Sequence, residues 1–316
     1  MEKIKFSIAI PAYKSKYLRE TIVSCLSQTY NNFEVIVVDD CSPNDIKNIV
    51  NSFSDNRIRY YRNEKNCGAI NVVDNWNICL KYVTGDWVIC MGDDDILAEN
   101  TLAEYIKLIE KYPHVNLMHS RTIIIDESGE PIYILPDRIE LESCLSYMYE
   151  KINENRLQFI GDFCFRVSVL RKKGGFYKLP LAWGSDDIST YLCADNGIAN
   201  TNTPTFYYRS NQYTISSTGS QRIKLDAINR EIKWIKDFLD NYIPEGIVEE
   251  LTLKMLRDRL SINYFKKKAN TMSYDIFSNP MCVFHYWWNR KHYQINNKMI
   301  MLGIFTALQR LCRKHC

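Results

Sequence analysis

The chain lacks most of the features that would set it apart from ordinary globular proteins. It has 11 cysteines but no C-x-x-C pair or other tight spacing, so neither a zinc cluster nor a disulfide framework is indicated. Cys25, Cys79 and Cys90 lie within apolar runs and read as buried free thiols in a reducing compartment. Excess charge is small: a net +3 is too close to neutral for a phosphate-backbone footprint, so nucleic acid is not expected as a partner. The longest apolar run, Met299 to Leu308, falls well short of the ~20 residues that span a bilayer. The opening MEKIKFSIAIP enters a strand pattern with no signal-peptide core, from which a cytoplasmic protein is expected. Repeats and low-complexity linkers are missing. A glycine-rich turn is also missing after the first strand. Pro11-Ala12-Tyr13-Lys14-Ser15 stands there instead, which excludes a dinucleotide-binding oxidoreductase and the triphosphate loop of a nucleotidyltransferase.

What is present is a normal balance of 46% hydrophobic and 24% charged residues over 316 positions, room for one large domain or one with an appendage. Strand and helix patterns alternate over the first hundred residues. Phe6 to Ile10, Glu34 to Val38, Arg57 to Tyr61 and Trp87 to Met91 read as strands. Leu18, Ile22, Cys25 and Leu26 share a helix face, and Ala69, Val72, Val73, Trp76, Cys79, Leu80 and Val83 form a longer stripe. Ser42 to Asp45 reads as a capping turn, and a further helix runs through Leu102, Ile106 and Ile109. This alternation predicts an α/β fold with a mostly parallel sheet flanked by helices. From about residue 221 the pattern turns helical: Ile223, Ala227, Ile228, Ile232, Ile235 and Leu239 fit one helix, and Ile247, Leu251, Met255 and Leu256 another. Residues 1–220 are expected to form the main domain and 221–316 a helical extension.

In such sheets ligands sit beyond the carboxyl ends of the strands. Pro11-Ala12-Tyr13, Asp39-Asp40 and Asp93-Asp94-Asp95 all fall at strand ends, so they are expected to meet in one crevice. Three adjacent carboxylates repel one another unless solvated or bound to a cation, and hard oxygen ligands suit Mg²⁺ or Mn²⁺ shared with phosphates. A solvated turn capping the next helix is the alternative. Asp39 and Asp40 suit either a nucleobase or a turn, and Tyr13 either a stacking platform or a plain loop aromatic. Asp186-Asp187 precede a helical pattern from Ile188 to Cys193, which suits either a helix cap or a general base facing a hydroxyl.

Taken in order, SIAIPAYKSKYLRETIVSCLSQTYNNFEVIVVDDCSPND and NEKNCGAINVVDNWNICLKYVTGDWVICMGDDDIL resemble the inverting family 2 glycosyltransferases of GT-A fold, closely over residues 5 to 110. The resemblance implies a nucleotide-sugar donor, UDP-linked by default, and a glycan or lipid-linked glycan acceptor in surface polysaccharide assembly. It implies that Pro11, Ala12 and Tyr13 line the nucleoside pocket, with Asp40 on the base and Asp39 supporting the strand end. The Asn66 to Gly68 turn would border the nucleotide, and Asp93 would lie near the ribose. Asp94 would hold a divalent cation, Mn²⁺ or Mg²⁺, with Asp95 as the alternative ligand. The more usual family form, D-x-D-D, would place an Asp where Gly92 stands. Asp186-Asp187 is similar to the family's Glu-Asp pair, which makes Asp187 the base and Asp186 its alternative. Gly161, Asp162 and Trp183-Gly184 resemble acceptor-side loops. Tyr207-Tyr208-Arg209 followed by Ser216-Ser217 looks like a late family loop, from which Arg209 would approach the diphosphate or else form a surface ion pair. A catalytically degenerate glycan- or partner-binding module is the rival reading. The run from Met299, followed by Arg310, Arg313, Lys314 and His315, fits a helix packed on the core or one lying on the inner face of the cell membrane.

Overall fold

The structure is a computed structural model that describes residues 4–211 and 219–314, with backbone alone for 313 and 314. In chain order the elements are β1 (Phe6–Ala12), α1 (Leu18–Leu26), β2 (Phe33–Asp39), α2 (Ile46–Asn51), β3 (Ile58–Arg62), α3 (Val72–Tyr82), β4 (Trp87–Cys90), β5 (Ile96–Leu97), α4 (Thr101–Lys111), β6 (Leu117–Ile125), β7 (Pro131–Ile134), β8 (Leu141–Glu142), α5 (Cys144–Ile152), β9 (Phe163–Arg166), α6 (Val167–Lys172), α7 (Ser185–Cys193), β10 (Ile198–Arg209), α8 (Gln221–Asn241), α9 (Ile247–Ser278), α10 (Cys282–Trp288), α11 (Arg290–Tyr293) and α12 (Asn297–Lys314). The expected α/β architecture with a helical C-terminal region is found.

One sheet runs in the order β3-β2-β1-β4-β9-β6-β10-β5, with β7 on β6 and β8 on β10. The first four strands are parallel. Beyond them the sheet is mixed: β9 is antiparallel to both β4 and β6, and β10 is parallel to β6. The burial pattern of a central strand carries no sign of its direction, so it does not reveal that parallel and antiparallel pairs mix in the second half.

β1 and β2 read as unbroken apolar runs because both faces are covered. Alternate residues serve opposite layers. Ile8, Ile10, Val35 and Val37 pack with α1, α2 and α4. Ala9, Ile36 and Val38 pack with Val73, Trp76 and Cys79 of α3. That second layer continues past residue 220, since Ile228, Ile235 and Leu239 of α8 and Leu253, Leu256, Leu260 and Tyr264 of α9 belong to it. The last helices close a smaller cluster around Met272, Tyr286, Tyr293 and Ile300.

Three expectations shift. Ala69 lies in an exposed turn before α3. α7 begins at Ser185, so Asp186 and Asp187 are inside its first turn. In α9 the buried seam is Leu253, Leu256 and Leu260, whereas Ile247, Leu251 and Met255 face outward. The helix carries two apolar stripes, and a 3.6-residue period does not say which of them finds a partner. The ten cysteines described are unpaired. Burial pushes the Cys25 thiol up to about 12, as expected for inert interior thiols.

Candidate active site

Register places the strand ends level: Ala12 pairs with Asp39, and Ala9 with Cys90, two residues before Gly92. Asp39 is fully buried. It accepts from Ser42 N at 2.8 Å, Tyr60 Oη at 2.7 Å and an Arg62 nitrogen, which leaves it a supporting group. Asp40 accepts from Asn63 Nδ2 at 2.7 Å and from Cys67 N at 3.0 and 3.1 Å. A carboxylate has roughly four acceptor positions, so Asp40 retains capacity for a further donor. Asn66 Nδ2 donates to the Asp40 carbonyl at 2.9 Å, tying down the turn. Gly68 sits at φ +77°, a conformation glycine adopts without Cβ strain. This turn borders a cleft of about 500 Å³ lined by Asn63, Lys65, Asn66 and Cys67.

The P-A-Y loop is fastened on both sides. Tyr13 N and Lys14 N donate to Asp93 Oδ2 at 2.7 and 2.6 Å. Ser42 Oγ donates to the Tyr13 carbonyl at 2.5 Å. The Tyr13 side chain is left 44% exposed, open to stack on a base.

The acidic triplet divides by environment. Asp93 and Asp95 are buried and Asp94 is half-buried. Burial, then the neighbouring Asp94 charge, raises the Asp93 carboxyl to about 6, against the lowering effect of the two backbone N–H groups. Asp95 rises well above the usual range for the same two reasons, and its Oδ1 accepts from Arg209 N at 3.0 Å. Asp94 meets Asn211 Nδ2 at 2.8 Å and Lys14 Nζ at 4.0 Å. A Cβ added at Gly92 would lie 2.9 Å from both Asp94 Oδ1 and Asp95 Oδ2, so a larger residue there requires these carboxylates to shift. Among the described residues no three His, Cys, Asp or Glu converge as a metal cage. One outward carboxylate does fit a Mg²⁺ or Mn²⁺ that takes its remaining oxygens from a diphosphate and water.

The second acidic pair opens α7. Gly184 precedes it at φ +89°, and a Cβ there would lie 2.9 Å from the Glu231 Cδ of α8. Glu231 in turn pairs with Lys267 of α9 at 2.8 Å. The C-terminal helices therefore press directly on the start of α7. Asp187 is buried; its Oδ1 accepts from Gln158 Nε2 and lies 3.4 Å from Lys151 Nζ. Asp186 is half-buried, and burial followed by the Asp187 charge raises its carboxyl to about 7. Burial and then Asp95, Asp94 and Asp186 raise the Tyr208 hydroxyl, so carboxylates of both acidic clusters act on one β10 side chain. Asp162 is buried behind the pair, raised to about 7 mainly by burial, and accepts from Thr122 Oγ1 at 3.1 Å.

Of the two alternatives for Arg209, a diphosphate contact or a surface ion pair, the structure gives an ion pair to Glu20, from a guanidinium that is itself 1% exposed and has a protein partner at each nitrogen. Nε donates to the Asp94 carbonyl at 2.9 Å, Nη1 to the carbonyls of Asp126 and Glu127 at 3.3 Å, and Nη2 to Glu20 at 2.7 Å. The guanidinium also lies 4.3 Å from the Tyr17 ring centroid. It clamps the triplet to α1 and to the turn after β6. Arg209→Met should therefore lower stability by about 3 kcal/mol, read as a fall in the urea midpoint. Unchanged stability with weakened donor binding would return it to the donor side. Ser216 and Ser217 lie outside the described residues. Lys14, Lys151 and Gln158 were not singled out from sequence. Lys14 directly follows the P-A-Y motif; the other two carry no local signal.

Against known proteins, a family model described as glycosyl transferase family 2 matches residues 7–179. This chain belongs to glycosyl transferase family 2. An uncharacterized glycosyltransferase of Rickettsia felis is 32% identical over 139 residues, 42% of this chain and 22% of that protein. Another of Rickettsia typhi is 30% identical over 188 residues, covering 57% and 55%. The matches thus span a fifth to about half of these relatives. The Escherichia coli UDP-Glc:alpha-D-GlcNAc-diphosphoundecaprenol beta-1,3-glucosyltransferase WfgD is 28% identical over 244 residues, 76% of this chain and 89% of the relative. The crystal structure of S. aureus TarS 1-349 in complex with UDP-GlcNAc superposes with a TM-score of 0.65 at 18% identity, covering 97% of this chain and 91% of that one, a likeness of fold. Among the described residues no helix is long and apolar enough to cross a membrane.

Proposed function

We propose that this family 2 member transfers a sugar from a nucleotide-sugar donor, UDP-linked, to a hydroxyl of a glycan or lipid-linked glycan, with inversion at the anomeric carbon, in the assembly of a surface polysaccharide such as a capsule or O-antigen. The observation that carries it is the Tyr208 side chain, whose hydroxyl is raised by burial and then by Asp95, Asp94 and Asp186, so that carboxylates of both acidic clusters act on one group beyond the strand ends. WfgD, whose name gives a UDP-glucose donor and a diphosphoundecaprenol-linked acceptor, supports the donor and acceptor classes. In this reading residues 1–220 hold both substrates and 221–316 form the extension that braces α7.

Tyr13 stacks on the base and Asp40 accepts from it, while Lys14 offsets diphosphate charge. Asp187 accepts the acceptor's hydroxyl proton as that oxygen bonds to the anomeric carbon. The bond to the diphosphate oxygen breaks, and its electron pair leaves with the nucleoside diphosphate. Gln158 and Lys151 hold Asp187 in place. Asp94, backed by Asp95, would hold a divalent cation whose chemistry is to stabilise the departing diphosphate. A single displacement requires inversion.

Thermal-shift measurements with UDP-, GDP-, CMP- and dTDP-sugars, each with Mn²⁺, Mg²⁺ or EDTA, test the donor site. UDP-sugars should raise Tm and EDTA should cancel the rise, since ligand at 100 times Kd adds about 2.7 kcal/mol. No shift with any donor would favour a degenerate binding module. NMR of the product should give the inverted anomer; retention would refute the displacement.

A further inference from the structure

The final helices present an apolar surface that the transferase reading leaves unused. α12 packs through Ile300, Gly303 and Ala307. Its outward side is also apolar: Met301, Phe305 and Leu308, spaced by four and three residues, are all exposed. α10, packed on the same small core, exposes Phe284, Trp287 and Trp288, the last at 82%. A surface helix of a soluble protein ordinarily turns polar residues outward, so these two helices are unusual on their outer sides.

Charge identifies the occupant. Residues 281–316 contain six Lys or Arg and no Asp or Glu, in a chain of net +3. The final 36 residues therefore carry +6 and the remainder −3. Arg290 lies 4.6 Å from the Trp287 ring and Arg310 3.8 Å from the Tyr274 ring, cations set beside aromatics. Asp275, beside this core, accepts from Tyr286 Oη at 2.5 Å and lies 3.8 Å from Arg222. A self-complementary dimer through this surface would oppose Arg290, Lys291, Lys298 and Arg310 to their own copies. Exposed Trp, aliphatic side chains and unopposed cations instead match the headgroup region of an anionic bilayer, where indole rings seat at the interface and each Lys or Arg adds attraction.

We infer that α10 and α12 form a docking face for an anionic lipid surface, on which the protein lies without crossing. The test is flotation of the full chain with vesicles of phosphatidylcholine alone or with 30% phosphatidylglycerol, at low and high salt. Wild type should float with the anionic vesicles at least tenfold more than with neutral ones, and less at high salt. Trp288→Ser with Phe305→Ser should reduce flotation at least tenfold without changing Tm, because both side chains are exposed. Arg290→Gln with Lys291→Gln should reduce it while leaving the apolar residues intact. No flotation of wild type, or equal flotation of every variant, overturns the proposal. So does a wild-type dimer in light scattering that becomes monomeric in the Trp288/Phe305 variant, which would assign the face to a second copy. The readout uses no donor or acceptor, so its failure leaves the transferase reading standing.

Discussion

Asp187→Asn is expected to lower the turnover number by about 10²- to 10⁴-fold, the range that general-base catalysis contributes, while the donor-induced rise in Tm persists. The substitution keeps the size of the side chain and an oxygen for Gln158 Nε2, but removes the group that accepts a proton. The pH dependence provides a second readout. Burial, then the Asp187 charge, brings the Asp186 carboxyl to about 7. The Asp186 carboxyl is therefore fully ionised only above neutrality. The kcat/KM of wild type should therefore fall as pH drops through about 7. Asp186→Asn removes the carboxyl that burial raises to about 7, so this limb of the pH profile should be lost. If Asp186→Asn proves the dead variant and Asp187→Asn keeps more than a tenth of the rate, the two roles are reversed.

Asp94→Asn should remove the EDTA-sensitive part of the donor-induced Tm shift and lower kcat/KM by about 10²- to 10³-fold, comparable to losing one preorganised contact to developing charge. Asp94 is the half-buried member of the triplet. Its neighbours carry internal hydrogen bonds, Asp93 to the P-A-Y loop and Asp95 to Arg209 N. Asp93→Asn and Asp95→Asn should chiefly lower stability, measured by urea unfolding, with cation dependence retained. A cation-dependent shift that survives in Asp94→Asn but vanishes in Asp95→Asn would make Asp95 the ligand.

Much of the first half was legible in the residues themselves. The apolar runs at Phe6, Glu34 and Trp87 became β1, β2 and β4, and Asp45 caps α2 by accepting from Asn48 N. Strand ends in a parallel sheet share an edge, so the level positions of Ala12 and Asp39 followed from pattern and topology. The second half was less legible. β9 reverses direction between β4 and β6, and nothing in F-C-F-R encodes that. Ile247, Leu251 and Met255 keep helical spacing, yet the adjacent stripe is the one that packs.

The sequence by itself therefore determined the order of elements, the family motifs and the residue types gathered at the strand ends. These depend on side-chain periodicity and local chemistry, which neighbours along the chain establish. Only the tertiary structure decided which carboxylate of each cluster is engaged and which is open. It buried Arg209 against the Asp94 carbonyl, 115 positions away, and set Glu231 of α8 beneath Gly184. A carboxylate's availability depends on the donors that reach it through space, and in this protein those donors come from strands and helices far away in the chain.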